Sequence, residues 1–199
     1  AGLAMFIFLL AVFASAMVIS AASVPAILKI APRIGLVDQP GHRKVHQHAT
    51  PMGGGIAIWL GIAVPALVLA GLVLTIPGEA PVWLEQLRAS ALLTAEHKAQ
   101  LLAVAIGGSL LFLVGLIDDR WNVSWKLRLG VQFSIAVAVV LAGVRATVFV
   151  SQPWFGVAVT VVWIIVLTNA MNFLDNMDAL SAGIGLIASL IFASILVLM

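Results

Sequence analysis

The chain has 199 residues, of which 63% are hydrophobic and only 9% charged, with a mean hydropathy of +1.19. Those proportions exclude an ordinary water-soluble domain. The lack of cysteine excludes disulfides and thiolate metal sites, and a net charge of +2 with dispersed basic residues excludes a nucleic-acid surface.

Six apolar runs reach or approach the roughly 20 residues that a membrane helix needs: 3–28, 55–76, 101–117, 129–144, 155–168 and 179–199. They predict an all-α polytopic membrane protein with six transmembrane helices in a single transmembrane domain, 1–199, the fourth and fifth spans being short. Pro65 inside the second run is tolerable, because neighbouring helices can re-satisfy a freed carbonyl. The first 28 residues carry no charge, the first residue is Ala, and the last apolar run reaches the final residue. A signal peptide would begin with a basic segment. The expectation is a membrane span cut at its upstream end, in a chain incomplete at both ends.

With six spans the connecting segments alternate sides. Segments 29–54, 118–128 and 169–182 hold Lys29, Arg33, Arg43, Lys44, Arg120, Lys126 and Arg128, seven of the ten basic residues. Segments 77–99 and 145–154 hold Arg88, Lys98 and Arg145. The Lys/Arg bias puts the first set in the cytoplasm and the N-terminus outside. The acids segregate independently: all five Asp fall on the cytoplasmic side and all three Glu outside. One face therefore carries the chemistry. Trp83 in the outer segment is an interface anchor.

The first cytoplasmic segment packs His42, Arg43, Lys44, His46 and His48 into seven residues and ends in a glycine-rich turn that enters a helix. Arg and Lys suit phosphate oxygens. Glycines admit backbone N–H groups to an anion, and the following helix N-terminus adds partial positive charge. The plain structural alternative is a positive-inside loop with a Pro/Gly turn. A zinc site from the histidines lacks a carboxylate or thiol partner at ligand spacing.

The second segment opens on adjacent carboxylates, Asp118 and Asp119, straight after an apolar run. Ionisable groups at membrane depth are costly and point to function. Paired hard oxygen ligands suit Mg²⁺ or Mn²⁺, which bind through one or two carboxylates plus substrate phosphates. The structural alternative is a cap and an ion pair with Arg120. The third segment spaces Asn169, Asn172, Asp175 and Asp178 three apart. On one straight helix each step lags by about 60°, so all four converge only if the helix ends or breaks near 172–175.

Together these segments resemble the polyprenyl-phosphate N-acetylhexosamine-1-phosphate transferase family. The resemblance is carried by Asp38-Gln-Pro with Arg43-Lys-Val-His46 and Thr50-Pro-Met-Gly-Gly54, by Gly115-Leu-Ile-Asp-Asp119 with Leu129-Gly-Val-Gln132, and by Asn169-Ala-Met-Asn-Phe-Leu-Asp-Asn-Met-Asp178. It implies Asp118, Asp119 and Asp175 as catalytic and metal residues, with Mg²⁺ or alternatively Mn²⁺. It implies Arg43, Lys44, His46, Thr50, Arg128, Asn169, Asn172 and Asp178 at the substrates. The implied partners are a UDP-N-acetylhexosamine, undecaprenyl phosphate and the bilayer, with a homodimer as a candidate assembly. The implied location is the bacterial inner membrane, with the active face cytoplasmic.

The first-segment pattern is closer to the GlcNAc-1-phosphate branch than to the phospho-MurNAc-pentapeptide translocases. The implied reaction is the first membrane step of a cell-envelope glycan. Arg128 stands where the family usually has Lys, and Asn176 and Ala179 where it usually has Gly; the latter restrict the backbone of the third segment. Family members have about ten spans by fold-level analogy, so residues 1–199 are expected to be catalytically incomplete. The rival from another class is a divalent-cation or proton-coupled transporter using Asp118, Asp119 and Asp175. Its path would need polar residues near the middle of the spans, and here the spans are nearly clean.

Overall fold

The computed structural model describes residues 2–38, 48–75, 81, 83–85, 95–146, 152–175 and 180–198. The long helices are α1 (Gly2–Ile30), α2 (Gly54–Thr75), α3 (Ala95–Trp121), α4 (Trp125–Leu141), α5 (Pro153–Leu174) and α6 (Leu180–Leu198). A short antiparallel ladder, β1 (Val37–Asp38) and β2 (Thr50–Pro51), follows α1. Each apolar run falls on its own helix. Four stretches are long and apolar enough to cross a membrane: Phe6–Ile30, Gly54–Val73, His97–Trp121 and Pro153–Leu174. α4 has 17 residues and the apolar stretch of α6 is Leu180–Ile195, so both are shorter than the expected spans. The all-α polytopic architecture holds, with four full-length spans among the described residues.

Large apolar side chains such as Phe6, Ile7, Leu10 and Phe13 on α1, and Leu186, Ile187 and Leu190 on α6, lie exposed. In water, contiguous apolar surface of this kind marks a binding face; in a bilayer it is the lipid contact.

The helices overrun their apolar runs at the polar ends. α3 continues through Asp118, Asp119 and Arg120, α4 begins at Trp125, and α5 continues through Asn169 and Asn172. Segments 118–128 and 169–182, expected as loops, are therefore mostly helical among the described residues. Hydropathy marks where lipid contact ends, whereas backbone hydrogen bonding carries on toward water. α5 outgrows its short run at the other end too: Pro153 opens it at the first turn, where a missing N–H costs nothing, after an extended Gln152.

Three helix ends follow from residues that accept a left-handed backbone. After α1, Gly35 (φ +77°) closes a Schellman turn, with Leu36 N–H donating to Ala31 O at 2.9 Å and Gly35 N–H to Pro32 O at 3.3 Å. Gly143 (φ +98°) does the same after α4, through Val144 N–H to Val139 O at 3.4 Å and Gly143 N–H to Val140 O at 3.0 Å. Asn122 (φ +48°) stops α3 with a single bond, its N–H donating to Asp118 O at 2.8 Å. Asn is the residue other than Gly that most readily takes this conformation.

The chain divides into two compact units, 1–131 and 132–199, with the division inside α4. In the first unit α1 and α2 pack closely over small residues. A Cβ at Gly61 would meet the Ala16 carbonyl oxygen at 2.8 Å and the Ser20 Cβ at 3.1 Å. Such small-residue contacts are how membrane helices gain dispersion energy without a hydrophobic drive. Trp59 of α2 stacks on Phe112 of α3 at 5.3 Å and donates its indole N–H to Ser109 Oγ at 3.2 Å. In the second unit Ala136 and Val140 of α4 form a core with Val161 of α5. Buried Thr160 donates to Gly156 O at 2.7 Å and accepts from Ala146 N–H at 2.8 Å, pinning the end of the α4–α5 connection to α5.

Candidate active site

The acidic edge of the first unit is built by a sharp helix–helix turn. Asn122 ends α3, and Ser124 caps α4, its Oγ accepting from Leu127 N–H at 3.4 Å and its carbonyl from Arg128 N–H at 3.0 Å. Only residues 122–124 separate the two helices. The turn folds Arg128 back so that its guanidinium donates to Asp118 Oδ2. The Asp118 side chain is only 16% exposed, so this pair is partly withdrawn from water. Asp119, one residue on, points about 100° around the helix and is exposed.

The charges run against the local backbone field. A helix C-terminus carries partial negative charge and an N-terminus partial positive charge. Asp118 and Asp119 lie in the last turns of α3, and Arg128 lies at the start of α4. Each disfavours its own helix by about 0.3–1 kcal/mol. Placement against the dipoles means that these charges cost their own helices stability rather than adding to it. Arg120 is the exception, a cation suited to the last turn of α3. Its guanidinium lies 4.9 Å from the Trp121 ring centroid and fills the space against Gly35 where a Cβ would sit. The turn after α1 therefore rests on the end of α3.

That turn leads into the ladder. Buried Ala31 and Leu36 anchor it, Leu36 O accepts from Met52 N–H at 2.9 Å, and Val37 and Asp38 pair with Pro51 and Thr50. Thr50 is exposed and donates to His48 O at 3.2 Å. Arg43, Lys44 and His46, assigned to phosphate, lie outside the described residues, as does Asp178. The ladder holds the two ends of the basic segment together beside Gly35, and through Gly35 against Arg120.

In the second unit α5 ends at Leu174, and Asp175 N–H donates to Met171 O at 3.2 Å. Asn169 is half-buried; Asn172 and Asp175 are exposed. Asn169 Nδ2 donates to Gln132 Oε1 of α4 at 2.7 Å and to Ile165 O at 2.9 Å. Asp175 Oδ1 accepts from Ser181 Oγ of α6 at 2.8 Å. The structure thus adds Ser181 to the polar residues read from sequence, and it gives Gln132, quoted there only within the Leu129–Gln132 motif, a partner. An amide inside the apolar run 129–144 marked Gln132; Ser181 carries no such signal.

Within either unit no three Asp, Glu or His side chains converge among the described residues. The donor set still fits Mg²⁺, which takes one or two protein carboxylates and completes its shell with substrate phosphates and water. Asp118 and Asp119 provide such hard oxygens, and Arg128 is at hand for phosphate charge.

These features define an all-α polytopic membrane protein with an acidic, arginine-paired helix end. The model of glycosyl transferase family 4 matches residues 101–199, the part that contains that helix end. Residues 101–199 belong to this family. It is similar to a probable undecaprenyl-phosphate N-acetylglucosaminyl 1-phosphate transferase of Bacillus subtilis, at 31% identity over 82% of this chain and 41% of the relative. It is similar to a decaprenyl-phosphate N-acetylglucosaminephosphotransferase of Mycolicibacterium smegmatis, at 30% identity over 81% of this chain and 38% of the relative. An undecaprenyl-phosphate alpha-N-acetylglucosaminyl 1-phosphate transferase of Yersinia pestis is 31% identical over 80% and 40%. The chain spans about two fifths of the length of the curated relatives it matches. No solved structure gives a significant match.

Proposed function

We propose that the intact protein transfers N-acetylglucosamine-1-phosphate from a UDP-sugar to undecaprenyl phosphate at the cytoplasmic face of a bacterial inner membrane. The single observation that carries this reading is the Asp118–Arg128 pair beside Asp119, within the segment matched by the family model. The names of the relatives supply the sugar and the lipid, and the Lys/Arg bias of the connecting segments supplies the cytoplasmic face.

In this reading an oxygen of the lipid phosphate attacks the sugar-bearing β-phosphorus of the sugar nucleotide. The bond from that phosphorus to the bridging oxygen breaks, and UMP leaves with the electron pair. A phosphate monoester has a second pKa near about 6, so the nucleophile is largely ionised at neutral pH and needs no strong base. Mg²⁺ held by Asp118 and Asp119 supplies charge neutralisation at the diphosphate when bound. Arg128 exchanges its carboxylate partner for phosphate, whose O–P–O edge meets the same planar guanidinium fork. A carboxylate attacking first, to form a phospho-aspartate, is the alternative route.

The test is release of UMP from UDP-N-acetylglucosamine by the intact protein in membranes, dependent on added undecaprenyl phosphate. Absence of lipid-dependent release sinks the proposal. Inversion at the transferred phosphorus supports direct displacement, and a trapped labelled phospho-enzyme supports the covalent route.

A further inference from the structure

Gln132 is only 4% exposed, inside α4, and faces Asn169 of α5. Both belong to the second unit. The polarity of the two amides is dictated by the backbone. A carbonyl cannot donate, so the group of Asn169 that meets Ile165 O must be its NH₂. That nitrogen has two hydrogens. One goes to Ile165 O at 2.9 Å and the other to Gln132 at 2.7 Å, so Gln132 must turn its oxygen to Asn169. Asn169 then has only Oδ1 to offer, which carries no hydrogen bond among the described residues.

We infer that Gln132 is a positioning residue that locks Asn169 as a pure hydrogen-bond acceptor, so that Asn169 takes an O–H or N–H group of the sugar nucleotide and not a phosphate oxygen. A free asparagine could turn either end to a ligand; this one cannot without losing two hydrogen bonds. The location suits the role. Asn169 lies six residues before Asp175, about 9 Å inside the end of α5 at 1.5 Å per residue, so it lies near the membrane edge rather than in mid-span. The inference rests on the transferase reading.

The experiment is a double-mutant cycle on the intact protein in membranes, reading KM for UDP-N-acetylglucosamine, kcat and thermal stability. Gln132→Met, which removes the lock, is expected to raise KM about tenfold, the equivalent of one hydrogen bond, with a smaller change in kcat. The double variant Gln132→Met/Asn169→Leu should be no worse in KM than Asn169→Leu alone, because Gln132 acts through Asn169. A merely structural tie between helices would lower stability and leave KM unchanged, and that outcome overturns the inference. Additive effects on KM would mean that Gln132 meets substrate itself, which also overturns it.

Sugar nucleotides lacking one hydroxyl or the acetamido N–H separate the ligand classes. Loss of the donor that Asn169 accepts should raise KM in the wild type and not in Asn169→Leu; if no such analogue behaves this way, Asn169 faces a phosphate oxygen and the assignment is refuted. Should Gln132→Met fail to accumulate, Gln132→Glu keeps an oxygen for Asn169 and is expected to hold KM within about threefold, a smaller change than loss of one hydrogen bond. A rise matching Asn169→Leu overturns the inference. Comparing UDP-N-acetylglucosamine with UDP-glucose tells an acetamido N–H from a hydroxyl as the donor. If the wild type releases no UMP at all, the transferase reading fails instead.

Discussion

Arg128 reaches back across the turn at 122–124 to bind Asp118, so a cation from the start of one helix neutralises an anion at the end of another. Both charges stand at the helix ends that disfavour them. Asp118→Asn leaves a partly buried guanidinium without its anion and should lower stability. Turnover should fall about hundredfold or more in Asp118→Asn and in Asp119→Asn, as expected for groups at a developing phosphoryl charge. Thermal unfolding of purified protein alongside UMP release checks both effects.

Arg128 offers a second measurement. Arg128→Lys keeps the charge but loses the planar fork. It should retain turnover within about tenfold, whereas Arg128→Met should lose more, with the defect concentrated in KM for undecaprenyl phosphate. Equal defects in the two variants would argue that the charge itself is not used.

The turn that brings Arg128 home depends on Asn122. Glycine takes the left-handed conformation freely, so Asn122→Gly should be close to neutral. A β-branched residue is strained there, and Asn122→Val should cost about 1–2 kcal/mol. Turnover should fall with it, because the α3–α4 angle sets the Asp118–Arg128 contact. The measurement is again unfolding temperature against UMP release, with Asn122→Gly as the control.

Gly35 is constrained twice, by φ +77° and by the Arg120 guanidinium where a Cβ would sit. Gly35→Ala should destabilise the protein by about 1–2 kcal/mol from the backbone alone. Arg120→Ala should relieve the steric part of that penalty but leave the backbone part, which a double-mutant cycle in detergent would detect.

Metal dependence is the fifth property to measure. Chelation with EDTA should abolish UMP release, and Mg²⁺ should restore it, with Mn²⁺ as a substitute. Ca²⁺ should restore less, since it prefers larger, more flexible shells than one or two carboxylates and a diphosphate provide.

The six helices were legible because lipid imposes a long apolar run on each, and every run falls on one helix. Helix ends were less legible. Asp118 and Asp119 read as the opening of a loop because hydropathy stops at Ile117, yet hydrogen bonding carries α3 on to Trp121. The marks of the real ends are local: Gly35, Asn122 and Gly143, each in the left-handed region. The ladder at Val37–Asp38 was not legible, since two residues carry no period.

Of the site, the acids and Arg128 could be read from residue type and position. Their pairing could not, because it depends on the angle of a three-residue turn. The pairing of Gln132 was hidden for a related reason. Its partner Asn169 lies 37 positions away, and only the fold brings the two amides together.

The contact of Gly61 with the Ala16 carbonyl has a further consequence. Gly61 lies seven residues into α2, about 10 Å from its start at 1.5 Å per residue. At that depth the backbones of α1 and α2 touch, and a hydrocarbon tail has no room to pass between them. This seam is closed to lateral entry. On the proposed reading, a lipid phosphate bound for Asp118 has to approach along another face of the first unit, and widening the seam would expose backbone rather than open a route.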